Sequence, residues 1–223
     1  MMTVTLTIVG AGGIGSHLSG VLVPAIHRGQ LAEGLGGIVV RILDSDRVSA
    51  ENLAHQRFLP SHVGEHKVSA LADSLSDFES DLLRLEPVPM DVRNASDLGG
   101  SDLVVVAVDS HDARRVAHRS VGRWLDLRCM GDGFIAIDDR VDGESVSSLT
   151  VEQASLSCQM EGSLESGNIQ FGFLSAAAHG AQWVVQTLRD ISGEPGNTPP
   201  LPQSASISFG TLGRMALSTG VQG

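Results

Sequence analysis

Residues 3–15 read TVTLTIVGAGGIG, a β-branched apolar run that ends in a cluster of glycines. No other feature constrains the fold as strongly. The run predicts a strand over 3–10, buried on both faces. Glycines directly after a strand and ahead of apolar residues at helical spacing predict a tight strand-to-helix turn. In the motif Gly10-Ala-Gly12-Gly13-Ile-Gly15, Gly12 and Gly13 let the backbone approach a phosphate, and Gly15 lets the helix pack on the strand. The helix N-terminus supplies unpaired N–H groups and the positive end of the helix dipole. A plain tight turn uses the same glycines, and the motif alone does not separate NAD, FAD, S-adenosylmethionine and ATP.

The strand-helix alternation continues along the chain. A helical pattern over 11–37 contains Pro24, which is expected to kink or split it. A second strand follows over 38–46, and a loop becomes a helix within 62–78. Strands are expected at 84–92 and 101–110, with a helix over 111–124. Residues 125–144 read as a strand, a turn and an antiparallel strand. A small-residue helix spans 169–191, a linker 193–203 and a last strand 204–212. This order predicts an α/β fold: a doubly wound, Rossmann-like, mostly parallel sheet with an antiparallel C-terminal extension. The 223 residues suffice for one such domain, with a nucleotide-binding core at 1–125 and the mixed extension, late helix and tail at 126–223.

Charge and cysteine content exclude several classes. A formal net charge of −11 argues against a broad basic face for nucleic acid. Such an acidic surface suits a partner with a basic face. Lysine is nearly absent, so Lys67 stands out. Two cysteines, Cys129 and Cys158, are too few for a disulfide framework or a four-cysteine zinc site, and they suit a reducing, cytoplasmic setting. Apolar runs are broken well short of a membrane span, and no basic region precedes the N-terminal one, which reads as a strand rather than a signal peptide.

Ligands of open α/β sheets bind beyond the carboxyl ends of the strands, where the polar clusters of this chain fall. Asp44, at the tip of the second strand, suits ribose hydroxyls; Asp46 reads as a loop-ordering residue. Asn52, His55, Gln56 and Arg57 follow, and Lys67 opens a helical pattern. Lys and Arg neutralise charge on a departing pyrophosphate, and Asn and Gln orient it. Asp109, after DLVVVAV, is placed to hold Mg²⁺, or alternatively to cap the next helix. Arg114 follows on that helix.

Gly-x-Gly-Gly-x-Gly, Asp-x-Asp-x-Val, Asn-Leu-x-x-Gln, VGEHK and the strand-tip Asp109 come in the order and approximate spacing of the ThiF/MoeB adenylyltransferases, relatives of ubiquitin-activating enzymes. The resemblance covers about residues 3–125 and extends more loosely to the helix 173–191. It implies an ATP-Mg²⁺ site at which the C-terminal carboxylate of a partner attacks the α-phosphate, releasing pyrophosphate and leaving an acyl-adenylate. Carried over, Asp44 binds the ribose, Asn52, Gln56 and Lys67 contact phosphates, and Asp109 acts through the metal. The partner is a small ubiquitin-like or sulfur-carrier-type protein or a peptide, and the resemblance implies a homodimer.

The chain departs from the family pattern in three places. His55 stands where the family has Arg in Asn-Leu-x-Arg-Gln, and Arg57 is the expected substitute cation because only it carries a fixed charge. An arginine-bearing N-terminal helix and the paired Cys-x-x-Cys zinc motifs are expected to be absent. Cys158 is the candidate nucleophile for a following thioester, although its local sequence offers no activating cation; Cys129 reads as core. Two rivals stay open: a catalytically degenerate nucleotide-binding scaffold, and an NAD-linked oxidoreductase. The second leaves Asn52, Gln56, Lys67 and Asp109 unexplained.

Overall fold

Seven strands form one sheet in the computed structural model, which describes residues 3–149, 159, 162–193 and 204–207. They are β1 (Val4–Val9), β2 (Ile38–Leu43), β3 (Leu83–Val88), β4 (Leu103–Val106), β5 (Trp124–Met130), β6 (Gly133–Asp138) and β7 (Ser204–Ile207). Their order is β3-β2-β1-β4-β5-β6-β7. The first five pair in parallel, and β6 and β7 join antiparallel. The fold is therefore the expected doubly wound α/β sheet with an antiparallel extension. The chain moves outward from β1 to β2 and β3, then returns to the other side of β1 as β4. That reversal opens a crevice between the C-terminal ends of β1 and β4.

Burial explains the strand sequences. Leu6, Ile8 and all four residues of β4 are essentially solvent-free, because helices cover both faces of the sheet. One face carries α1 (Gly13–Ile26), α3 (Lys67–Leu75) and α7 (Gly172–Ile191), whose Leu18, Leu22, Leu71 and Phe173 join the larger core. The other face carries α4 (His111–Ser120), which packs Ala113 and Ala117 on Val104, Val106 and Trp124. Burying a Leu or Val side chain fully contributes about 1.5–3 kcal/mol, so the continuous apolar strands dominate the stability of the sheet.

Several boundaries differ from expectation. The helical pattern over 11–37 forms two helices, α1 and the short α2 (Gln30–Gly34). The break falls three residues after Pro24, at His27–Gly29, where Gly29 takes φ +97°. Proline removes one N–H but lets the turn in progress finish; the positive φ at Gly29 ends the run. Each of β2, β3 and β4 stops short of its predicted C-terminal end, and the residues beyond turn out toward the crevice. Two helices went unforeseen, α5 (Gly143–Leu149) and α6 (Ser163–Ser166). Most of the expected linker 193–203 and the end of the expected last strand lie outside the described residues.

Candidate functional site

The glycine turn is built as the motif requires. Gly10 sits at φ +102°, and a Cβ there would lie 2.7 Å from the Ala107 carbonyl oxygen. A Cβ on Gly15 would overlap the Gly10 carbonyl oxygen, so α1 packs directly on the end of β1. Gly12, the N-cap of α1, faces open space. The turn thus keeps its close packing at Gly10 and Gly15 and its open side at Gly12.

Asp44 follows β2 and ties the turn to the next loop. Its Oδ2 accepts from the Ala11 N–H at 2.7 Å, and its Oδ1 from the Asp46 N–H at 2.8 Å. A carboxylate offers about four lone-pair sites, so each oxygen retains capacity for a ribose hydroxyl. The chain then makes a short antiparallel contact with the start of α3. Val48 N–H donates to Glu65 O and Lys67 N–H to Asp46 O, each at 2.9 Å. This pairing brings the buried Lys67, first residue of α3, to the crevice, where its Nζ lies 2.8 Å from Asp46 Oδ2. Asp46 thus ties the loop after β2 to the start of α3 as the counterion of Lys67.

A 3₁₀ turn, Ala50–Ala54, delivers His55 and Gln56 to the wall opposite. The Gly13 turn lies against the His55 backbone, and the Phe173 ring lies 5.2 Å from that of His17 and 6.3 Å from that of His55. Gln56 Oε1 and His55 Nδ1 are buried without a hydrogen-bond partner among the described residues. Buried polar atoms normally have partners, so this wall is suited to receive polar groups of a ligand. Burial and the nearby Lys67 charge hold the His55 pKa below its ordinary value, which leaves the imidazole neutral at pH 7.

One cleft of about 1460 Å³ collects these groups: Gly10, Gly12, Gly13, Asp44, His55, Gln56, Lys67 and Asp109 all line it. Asp109 follows β4 directly. The N-cap of α4 is Ser110, whose Oγ accepts from the Ala113 N–H at 3.4 Å. Two expected site residues lie elsewhere. Asn52 Oδ1 accepts from the Ser49 N–H at 3.0 Å, closing the 3₁₀ turn, and Asn52 does not line the cleft. Arg57, the expected substitute cation, has its side chain against Gly20 on α1 and is not among the residues lining the cleft. The physical reason is rotation of the chain. Gln56 points into the cleft, and the next residue turns to the flank of α1, where the Arg57 N–H bonds Ser16 Oγ at 3.1 Å.

Cys158 lies outside the described residues. Cys129, read as core, is half-buried: it packs against the larger core and also lines the cleft. Of the arginines on α4 and β5 the sequence singled out Arg114 and missed Arg115, Arg119 and Arg128. Arg114, Arg115, Arg119 and Arg128 line the cleft, and the fully buried Asp126 anchors Arg114 and Arg128 by ion pairs. The signal was present in HDARRVAHRS and LDLRCM, but only packing brings the two segments together. Among the described residues no three His, Cys, Asp or Glu side chains converge as a metal site. No helix among the described residues is long and apolar enough to cross a membrane.

The switch-point cleft, the glycine turn under it and the acid at the tip of β2 define a protein of the doubly wound α/β class, open at the end of the sheet where such folds bind ligands. The chain belongs to the ThiF family, whose model matches residues 2–123. Solved structures of the same fold include PaaA, at TM-score 0.61 and 17% identity, covering 92% of this chain and 61% of that one. E. coli MccB with ATP aligns at TM-score 0.61 and 17% identity, covering 92% and 60%. E. coli MccB with AMPCPP and MccA gives TM-score 0.61 and 17% identity over 92% and 61%. The chain spans about three fifths of the length of these neighbours. No curated protein matches it.

Proposed function

We propose that this protein is an ATP-dependent adenylyltransferase. Its acceptor is the C-terminal carboxylate of a small ubiquitin-like or sulfur-carrier-type protein, or of a peptide. The observation that carries the reading is the convergence of Gln56, Lys67 and Asp109, from three separate segments, around the cleft over Gly12. A dinucleotide oxidoreductase has no use for that set. The MccB neighbour solved with AMPCPP together with MccA supports a cleft that takes a nucleotide and a second molecule side by side.

In this reading Asp44 accepts the ribose hydroxyls, and the N–H groups at the start of α1 receive phosphate oxygens. The acceptor carboxylate attacks the α-phosphorus, the bond to the bridging oxygen breaks, and pyrophosphate leaves with the charge. Lys67 stabilises that charge, and the Gln56 amide orients the departing group. Mg²⁺ at phosphate sites is commonly held by one or two carboxylates plus the phosphates themselves, so Asp109 would serve as a protein ligand; the ion when bound would neutralise phosphate charge. A homodimer and a cytoplasmic location belong to the same proposal.

Pyrophosphate exchange into ATP, dependent on an added acceptor and lost in Asp109→Asn, is the expected result. Thermal stabilisation by NAD but not by ATP-Mg²⁺ would overturn the reading. A second reading has one observation in its favour: the cleft wall presents a neutral His55 where the family pattern has a cation, and Arg57 lies outside. ATP binding with no exchange under any acceptor would make the protein a nucleotide-binding scaffold.

A further inference from the structure

The polar wall of the cleft is backed by a residue far from it in sequence. Phe173, in the first turn of α7, is 1% exposed. Its ring lies 5.2 Å from that of His17 on α1 and 6.3 Å from that of His55, the second contact edge-on at 71°. Both distances fall in the range of favourable aromatic pairs. Three elements meet here at the glycine turn: a Cβ on Gly13 would lie 3.5 Å from Phe173 Cβ and 3.7 Å from the His55 carbonyl oxygen. His17 is one turn beyond Gly13 on α1 and shares its face. His55 in turn meets its neighbour, with Gln56 Nε2 at 3.4 Å from His55 Nε2. Contacts therefore run from the Phe173 ring to the His55 ring and on to the Gln56 amide in the cleft.

Phe173 is itself firmly seated. Gly172 N–H donates to Gly131 O at 3.1 Å, and a Cβ on Gly172 would lie 2.6 Å from the carbonyl oxygens of both Gly131 and Gly133. The first turn of α7 is thus pressed onto the turn between β5 and β6, and the ring projects from a seat on the sheet. The 3₁₀ turn before His55 has no fully buried residue of its own. A segment with so little burial takes its position from what it leans on: Ser16, which accepts from the Arg57 N–H, and the Phe173 ring. We propose that Phe173 is a positioning residue for the nucleotide site. Its ring sets the place of the His55 imidazole and, through it, of the Gln56 amide, although it lies outside the segment 2–123 that matches the family model. What the wall does for a nucleotide rests on the adenylyltransferase reading; how the wall is held does not.

Amide hydrogen exchange on the full chain, without ligand, reads the wall directly. Phe173→Leu should speed exchange over residues 55–57 by about 10-fold or more, while the central strands β1 and β4 stay protected. Val184→Ala, at a fully buried position three turns further along α7, removes core volume away from the wall and should leave 55–57 unchanged. Titration with ATP-Mg²⁺ adds a second readout. Phe173→Leu should weaken ATP binding by about 5-fold, but by less than about twofold in a His55→Ala background, because an effect routed through His55 vanishes with it. Phe173→Met, closer in volume, serves as the milder variant if the leucine variant fails to fold. Unchanged exchange at 55–57, or the same change in Val184→Ala, overturns the proposal. So does an undiminished loss of ATP affinity in the His55→Ala background, which assigns Phe173 to general packing. Loosened exchange at 55–57 in a chain that does not bind ATP leaves the positioning role standing and removes the adenylation reading instead.

Discussion

Lys67 Nζ lies 2.8 Å from Asp46 Oδ2, and the two side chains differ sharply in exposure, 8% against 66%. Lys67 is the only lysine in the chain. Its stem is buried at the start of α3, while its counterion is solvated. A buried ammonium must keep a negative partner, and because Asp46 is solvated it can return to water when a phosphate takes that place.

Lys67→Met is therefore expected to lower pyrophosphate exchange by about 10²-fold or more, whereas Asp46→Asn lowers it by less than about 10-fold. A sole lysine also allows a direct probe. An acyl-phosphate derivative of ATP, which acylates amines at its binding site, should label Lys67 and be blocked by excess ATP. Mass spectrometry locating an unprotected label at the N-terminal amine alone would remove Lys67 from the phosphate site.

Two glycines of one turn should fail in different ways. Gly15→Ala forces a Cβ into the Gly10 carbonyl, and overpacking of this kind costs about 1–3 kcal/mol. Gly12→Ala meets nothing within 4 Å and, at the N-cap, should cost about 1 kcal/mol or less, yet its methyl group occupies the space a phosphate needs. Chemical denaturation should show the first loss and isothermal titration with ATP the second. Similar unfolding midpoints for the two variants would contradict this division.

His55 lines the cleft and Arg57 does not. His55→Ala should lower exchange more than Arg57→Ala. Because burial and Lys67 keep His55 neutral at pH 7, restoring a fixed charge with His55→Arg should raise exchange by about 10-fold. A decrease in that variant would show that the site has no deficit of positive charge for a cation at 55 to fill.

His118 predicts an acid-stability limit. It stacks on Trp124, with ring centroids 4.1 Å apart, and lies 3.2 Å from Asp126. Asp126 is already neutralised by Arg114 and Arg128, so burial and those two charges push the His118 pKa down to about 4 from 6.5. The unfolded chain binds a proton on this residue between those values and the folded one does not. Its contribution, on the order of 3 kcal/mol, is therefore full above pH 6.5 and is lost as pH falls toward 4. Denaturant midpoints should fall over that range in the parent protein, and much less in His118→Gln. Parallel pH profiles for the two would refute the assignment.

The parts legible in the sequence are those encoded by local pattern. TVTLTIVG and DLVVVAV are apolar throughout because both faces of a central strand are covered, and the run of residues alone carries that signal. The glycine turn, Asp44 at a strand tip and the antiparallel turn at Gly131-Asp132 were readable for the same reason: each depends on a few neighbouring residues. Helix ends were less readable, since Pro24 tolerates the completion of a turn and Gly29 supplies the break.

Residue types and their order along the chain determined the α/β class, the position of the nucleotide turn and the candidacy of Lys67 and Asp109. Direction and company were decided only by tertiary structure. Arg57 and Gln56 are adjacent in sequence, yet one lies on the flank of α1 and the other in the cleft, because consecutive side chains leave the backbone at different angles. Arg115 and Arg119 on α4 and Arg128 on β5 come to one cleft only through tertiary packing. The buried Asp126 fixes Arg114 and Arg128: a charge withdrawn from water must keep its partners, and no local sequence rule records which partners those are.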